Sequence, residues 1–300
     1  MDAIDLKIRK AVVPIAGLGT RLFPASHACK KELFPVVGPY GVARALLHYQ
    51  VIDLIAAGIE HICIVVRPGE ERLVIDYFRG PGEAYLGRLD RYPELAREAA
   101  AMRAALDRIS FAVQREQQGY GHAVYQSAAF AGGDPVLLCL GDHLFRGGAE
   151  SCHLQLMRAY EQCGGRSVSA VNRIGADELK GYGTIAGRRR VAHPELIDVS
   201  LIVEKPAIEV ARASLHVDGL GPDEWLGWFG MHAFSPSIYD LLGELIAGDI
   251  RQRGEFQLTY AQELQRQREG YCALEIADGR RFDFGVPEDY VRSVVEFAVM

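Results

Sequence analysis

A chain of 300 residues, 49% hydrophobic and 24% charged, can bury a substantial core and falls outside the disordered and collagen-like classes. Its 33 basic against 39 acidic residues leave a net charge of −6, which argues against a sequence-independent hold on nucleic acid or on an anionic membrane. Any phosphate site must therefore be local. The opening MDAIDLKIRK lacks the apolar core of a secretory signal, and no apolar run approaches the roughly 18 residues of a membrane span, so a cytoplasmic protein with no membrane partner is expected. Six cysteines are scattered without a C-x-x-C pair, and Cys63 and Cys139 lie inside apolar runs that read as buried strands. Reduced thiols are the expectation.

In chain order, AVVPI (11–15) is the first strand, with Pro14 near its C-terminal end because proline cannot donate to a ladder inside a central strand. Residues 44–58 place Leu47, Val51, Leu54, Ile55 and Gly58 on one helical face, and HICIVV (61–66) returns as a strand. A charged, alanine-rich helix follows near 93–108, then strand FAVQ, a helix over 121–131 and strand PVLLCLGD (135–142). From about residue 166 the rhythm changes. Strand-like SVSAVN, YGTIAG, VSLIVEKP and WLGWFGMHAF are separated by loops, and helices return at 235–247 and 257–268 before CALEIA, RRFDFG and a final helix near 287–299. The pattern predicts an α/β fold, a mostly parallel sheet flanked by helices with a mixed-sheet extension, in a single domain over 1–300. The two parts of that domain meet near residue 165.

Residues 16–35, AGLGTRLFPASHACKKELFP, run a glycine turn into Arg21 and the adjacent Lys30 and Lys31. A dinucleotide fold asks for G-x-G-x-x-G and an acid about 20 positions on, but Leu22 stands at the third glycine position and residues 36–43 carry no acid. A P-loop fails too, since no hydroxyl residue follows the lysines. What remains is a turn whose backbone N–H groups can approach an anion, with Arg21 as a planar fork and Lys31 as a point charge. That suits a triphosphate; a surface loop with solvated cations is the other reading. The nine histidines form no zinc spacing, and His143 should point away from Asp142 if both lie on an extended strand. Trp225 and Trp228 are expected to pack in the core or an interface.

The stretch closely resembles the G-x-G-T-R and K-E-x-x-P signature of the bacterial UTP–glucose-1-phosphate uridylyltransferases and their sugar nucleotidyltransferase relatives. The resemblance continues through Gln114, GYGHAV (119–124), LGD (140–142), YGT (182–184), VEKP (203–206), GEFQLT (254–259) and FDFG (282–285). It implies a Rossmann-like, nucleotide-diphospho-sugar transferase fold, with residues of about 8–165 binding nucleotide and about 166–300 forming the sugar-binding part and C-terminal helices. The reaction implied is attack of a sugar 1-phosphate on the α-phosphorus of a nucleoside triphosphate, assisted by Mg2+. By motif position Ala16, Gly17, Gly19, Thr20 and Arg21 would hold the triphosphate, and Lys31 would face the α-phosphate and pyrophosphate. Gln114 and Gly119 would take the base; one donor and one acceptor on the Gln114 amide match the O4 and N3–H of uracil, and thymine presents the same edge. Gly183, Glu204, Lys205 and Gly230 would sit by the sugar phosphate, Asp142 and Asp283 would hold the metal, and Arg21, Lys31 and Lys205 would be the catalytic cations. Of the adjacent lysines only Lys31 is expected to matter for turnover. A homo-oligomer, dimer or tetramer, is expected. A relative using dTTP or another sugar 1-phosphate, or a catalytically silent binding regulator, is the alternative. The sequence departs from the family pattern at Lys30, where a proline is usual, at His27, where a lysine is usual, and in segments 38–49 and 79–109.

Overall fold

The computed structural model describes residues 5–39, 41–89 and 91–300. Apolar and β-branched runs form β1 (Lys10–Pro14), β2 (Pro35–Val37), β3 (Ala43–Ala45), β4 (His61–Val66), β5 (Ile109–Val113), β6 (Val136–Cys139), β7 (His143–Arg146), β8 (Val168–Ile174), β9 (Gly183–Arg189), β10 (Leu196–Glu204), β11 (Trp225–Phe234), β12 (Cys272–Glu275) and β13 (Arg280–Asp283). Nine of them make one sheet in the order β5-β4-β1-β6-β11-β8-β12-β10-β9, with β9 also touching β11. The first four run parallel. Direction reverses at β11, which is antiparallel to both β6 and β8. The parallel half is the expected Rossmann-like sheet and the remainder is the mixed extension. A single sheet thus runs through both parts of the chain.

The period of two along each strand sorts side chains onto two covered faces. Ala11, Val13, Ile62 and Ile64 enter one core with Leu47, Val51 and Leu54 of helix Leu46–Ala56, whereas Val12, Cys63 and Val65 enter the other with Ile238, Leu242 and Ala261. Both faces are filled, so β1 and β4 are apolar past their first residue. Pro14 is the last residue of β1, and there the loops carrying the site begin.

Several elements differ from the sequence expectation for local reasons. The helix expected from 44 starts at Leu46, because Ala43–Ala45 pairs with β2. The helix expected over 121–131 is two, Tyr120–Tyr125 and Ala128–Ala131. Between them Ser127 donates its hydroxyl to the Val124 carbonyl at 2.7 Å, a local bond that competes with the helical ladder. The strand expected through residue 142 ends at Cys139 and turns at Gly141, where a Cβ would lie 2.6 Å from the Pro14 carbonyl oxygen. The chain then resumes as β7, antiparallel to β13. Helices Glu71–Arg79, Glu83–Leu89, Cys152–Gln162 and Ile208–Ser214 lie outside the sequence expectation. Trp225 and Trp228 are buried, as expected. No helix among the described residues is long and apolar enough to cross a membrane.

Candidate active site

Loops at the C-terminal ends of β1, β5 and β6 gather at one edge of the parallel half, the edge where open α/β sheets place ligands. After β1, Ala16 is buried in the core, while Gly17 opens on free space with nothing within 4 Å of where a Cβ would stand. Gly19 takes φ 67°, a left-handed conformation that favours glycine, and starts the short turn Thr20–Leu22. A Cβ on Gly19 would stand 3.2 Å from Ser26 and 3.8 Å from the Lys31 side chain. Thr20 and Arg21 are exposed, and the Arg21 guanidinium reaches to 3.4 Å from the Cβ position of Gly285.

That same point on Gly285 lies 2.9 Å from Asp142 Oδ2 and 3.0 Å from Asp283 Oδ1, so the arginine and both acids converge there. The Lys31 ammonium donates to Asp142 Oδ2 at 2.5 Å. The expectation that His143 points away from Asp142 is wrong: its Nδ1 lies 2.8 Å from Asp142 Oδ1, and its Nε2 lies 3.4 Å from Asp283 Oδ2. The alternation rule fails because Asp142 sits in the turn before β7 rather than on a continuous strand. Asp283 also accepts the Gly285 backbone N–H at 2.7 Å. Its neighbours do not neutralise it, since Arg280 pairs with Glu296 and Arg281 donates to the Trp228 carbonyl.

Burial opposes the Asp142 charge, yet His143 and Lys31 outweigh it and hold the carboxyl well below the usual range. Burial likewise opposes the His143 charge, and Asp142 and Asp283 override it, raising the imidazole above its ordinary value. Asp283 is lowered against burial by His143. One ligand atom each from Asp142, His143 and Asp283 lies within 4.8 Å of the others. Two carboxylates closing on one point suit an oxygen-seeking divalent cation.

Just past the end of β5, Gln114 is buried. Its Nε2 donates to the Gly119 carbonyl at 3.1 Å and approaches His122 Nδ1 at 3.1 Å. Gly119, at φ 111°, and Gly121 press on the Phe256 backbone, where a Cβ would stand 2.9 and 2.7 Å from its carbonyl oxygen. Segments GYG and GEF, far apart in sequence, are thus in contact.

At the end of β10, Lys205 adopts φ 46°, with its ammonium 3.8 Å from Glu204 Oε1. Thr259 donates to Glu204 Oε2 at 2.6 Å and fixes the carboxylate. A Cβ on Gly183 would stand 2.4 Å from Trp228 Nε1 and 3.0 Å from Glu204 Oε2, so only glycine fits between them. Gly230, at φ 102°, lies within the register shift between Trp228 and His232, where a strand bulge has its usual home. A cleft of about 490 Å³ opens beside Glu204 and Lys205 and is also lined by Arg253, Glu255, Thr259 and Glu263. Arg253 and His143 are the residues that sequence reading missed. The adjacency of LGD and His143 was visible, but the turn that makes them touch was not.

A parallel sheet with cations and paired acids at its strand ends, beside a polar cleft, defines a phosphoryl-handling transferase. Residues 10–292 match the model of the nucleotidyl transferase family, and the chain belongs to that family. It is 30% identical over 294 residues to UTP–glucose-1-phosphate uridylyltransferase 1 of Staphylococcus saprophyticus, covering 98% of this chain and 94% of that one. The fold is similar to a UDP-glucose pyrophosphorylase complexed with UDP-glucose (TM-score 0.76, 26% identity, 97% of this chain and 98% of that one). It is also similar to a UTP-bound UGPase from Acinetobacter baumannii (TM-score 0.76, 25% identity, 97% and 93% covered).

Proposed function

We propose that this enzyme transfers a uridylyl group from UTP to glucose 1-phosphate, releasing pyrophosphate and forming UDP-glucose. The convergence of Arg21, Lys31, Asp142 and Asp283 around Gly285 carries the reading. The names and bound molecules of the relatives supply the substrates.

The nucleophile is a phosphate monoester with a second pKa of about 6, so it is already largely deprotonated at neutral pH and needs no general base. The obstacle is repulsion between two polyanions and charge growing on pyrophosphate. Arg21 and Lys31 oppose that charge, and Ala16, Gly17, Gly19 and Thr20 bring backbone N–H groups to the triphosphate. Gln114 and Gly119 take the uracil edge. Glu204 accepts sugar hydroxyls, Lys205 pairs with the sugar phosphate, and Gly183 and Gly230 keep the strands close beneath them. Asp142 and Asp283 would hold magnesium, which would supply positive charge against the phosphates. Residues of about 8–165 act on the nucleotide and about 166–300 on the sugar. A homo-oligomer fits the exposed Val291, Val295 and Val299, spaced four apart along and just past the last helix.

Pyrophosphate release from purified protein, screened over UTP, dTTP, GTP, CTP and ATP with a panel of sugar 1-phosphates, tests the assignment. UTP with glucose 1-phosphate should dominate. Release only with dTTP or another sugar phosphate would replace the substrates, and no release from any pair would leave a binding protein.

A further inference from the structure

Lys30 stands where the family pattern has proline, and it is buried. Its ammonium donates to Glu70 Oε2 at 2.7 Å and lies 3.8 Å from Glu32 Oε2. The other Glu32 oxygen lies 3.8 Å from Lys31 Nζ. Glu70 is anchored in turn, accepting the Arg67 backbone N–H at 3.2 Å and the Arg67 Nε at 2.9 Å. Charges of alternating sign therefore run Arg67, Glu70, Lys30, Glu32, Lys31, Asp142, from the end of β4 to the turn after β6.

Stability alone does not account for this row. Buried ion pairs often do no better than well-packed apolar residues, and Glu32 Oε2 is buried with no hydrogen-bond partner. Without Lys30, Glu32 loses one of its two ammonium neighbours, and the balance that leaves Lys31 to Asp142 is lost. With Lys30 tied to Glu70, Glu32 is shared between two ammonium groups and holds neither at bonding distance. Lys31 then gives its short contact to Asp142.

We propose that Lys30 is a positioning residue for turnover, which through Glu70 and Glu32 fixes the Lys31 ammonium at the reaction centre. This rests on the reading of Lys31 as phosphate-facing, and it revises the expectation that Lys31 alone of the pair matters. Lys30→Met keeps the stem and removes the charge; Glu70→Gln keeps the shape and weakens the anchor; Lys30→Arg restores a cation. Each is compared with wild type by steady-state kinetics on UTP and glucose 1-phosphate. Each is also probed by limiting acetic anhydride, with Lys31 acetylation measured by mass spectrometry against the exposed Lys7 of the same chain. Lys30→Met should lower kcat about 10- to 100-fold with KM within about twofold, Glu70→Gln should lower it less, and Lys30→Arg should recover most of it. Lys31 labelling relative to Lys7 should shift several-fold in the first two. Unchanged labelling in a folded variant overturns the proposal whether or not kcat falls, and so does unchanged kcat. If Lys30→Met does not fold, Glu70→Gln decides. Full activity in Lys31→Ala would instead sink the phosphate reading of Lys31, while Lys31 labelling in Lys30→Met would still report whether Lys30 fixes that ammonium.

Discussion

At the strand ends of the parallel half, Lys31, Asp142, His143 and Asp283 are so closely packed that every charge already faces its opposite. In the cleft beside β10 the cations are looser: Lys205 is 44% exposed, and Arg253 has no ion-pair partner among the described residues. The contrast matches the division of work proposed above. Groups that meet charge developing in a transition state gain from being fixed beforehand by the protein. Groups that capture a diffusing sugar phosphate gain from standing open in water, where an anion can reach them.

If that division holds, the largest loss comes from the packed cluster. Lys31→Ala, Asp142→Asn and Asp283→Asn should each lower kcat by about a thousandfold in a folded protein, and the two acid variants should also weaken the dependence on magnesium. Near-normal kcat at ordinary magnesium would remove that residue from the reaction centre. In the open cleft, Lys205→Ala and Glu204→Gln should mainly raise KM for the sugar phosphate, by about 10- to 100-fold, the worth of one charged hydrogen bond. A kcat loss as deep as that of Lys31→Ala would erase the contrast. Gln114→Ala should raise KM for UTP about tenfold and narrow its preference over CTP, because cytosine reverses donor and acceptor at the edge being read. Base preference that does not move takes Gln114 out of the pocket.

The smallest effect is on stability. His143 titrates above the usual imidazole value of about 6.5, so its contribution is complete below that pH and fades as pH rises through the folded value. Glu32, pushed up to about 7 by burial despite Lys30 and Lys31, acts in the same direction. Asp142 is the larger cause of the histidine's shift, and the difference between wild type and Asp283→Asn isolates the share that Asp283 adds. Without metal, wild-type Tm should fall about 2–4 °C more than that of Asp283→Asn between about pH 6 and pH 9. Parallel slopes would mean that His143 is not held between the acids.

The fold was legible wherever apolar runs were long. AVVPI, HICIVV and WLGWFGMHAF are all strands, and Pro14 ends its strand, because burial on both faces leaves little choice of residue. What stayed hidden depends on single positions where the chain turns. Gly141 bends β6 away before Asp142, and that bend alone turns His143 from a bystander into a bridge between two acids. The charge on Lys30 was visible, but its direction needed Glu70, forty residues away. Helix Cys152–Gln162 could have been found from its cap, since Ser151 accepts the Leu154 backbone N–H.

The contact of Gly119 and Gly121 with Phe256 has a consequence for anyone who re-engineers base preference. The two glycines leave no room for a side chain, so a substitution there displaces residues 255–257, which supply Glu255 and Gln257 to the wall of the cleft proposed for the sugar phosphate. A library built on GYG to change the accepted nucleotide would thus also alter affinity for the sugar phosphate. The two selectivities can be tuned separately only by leaving those glycines alone and varying the side chains around Gln114.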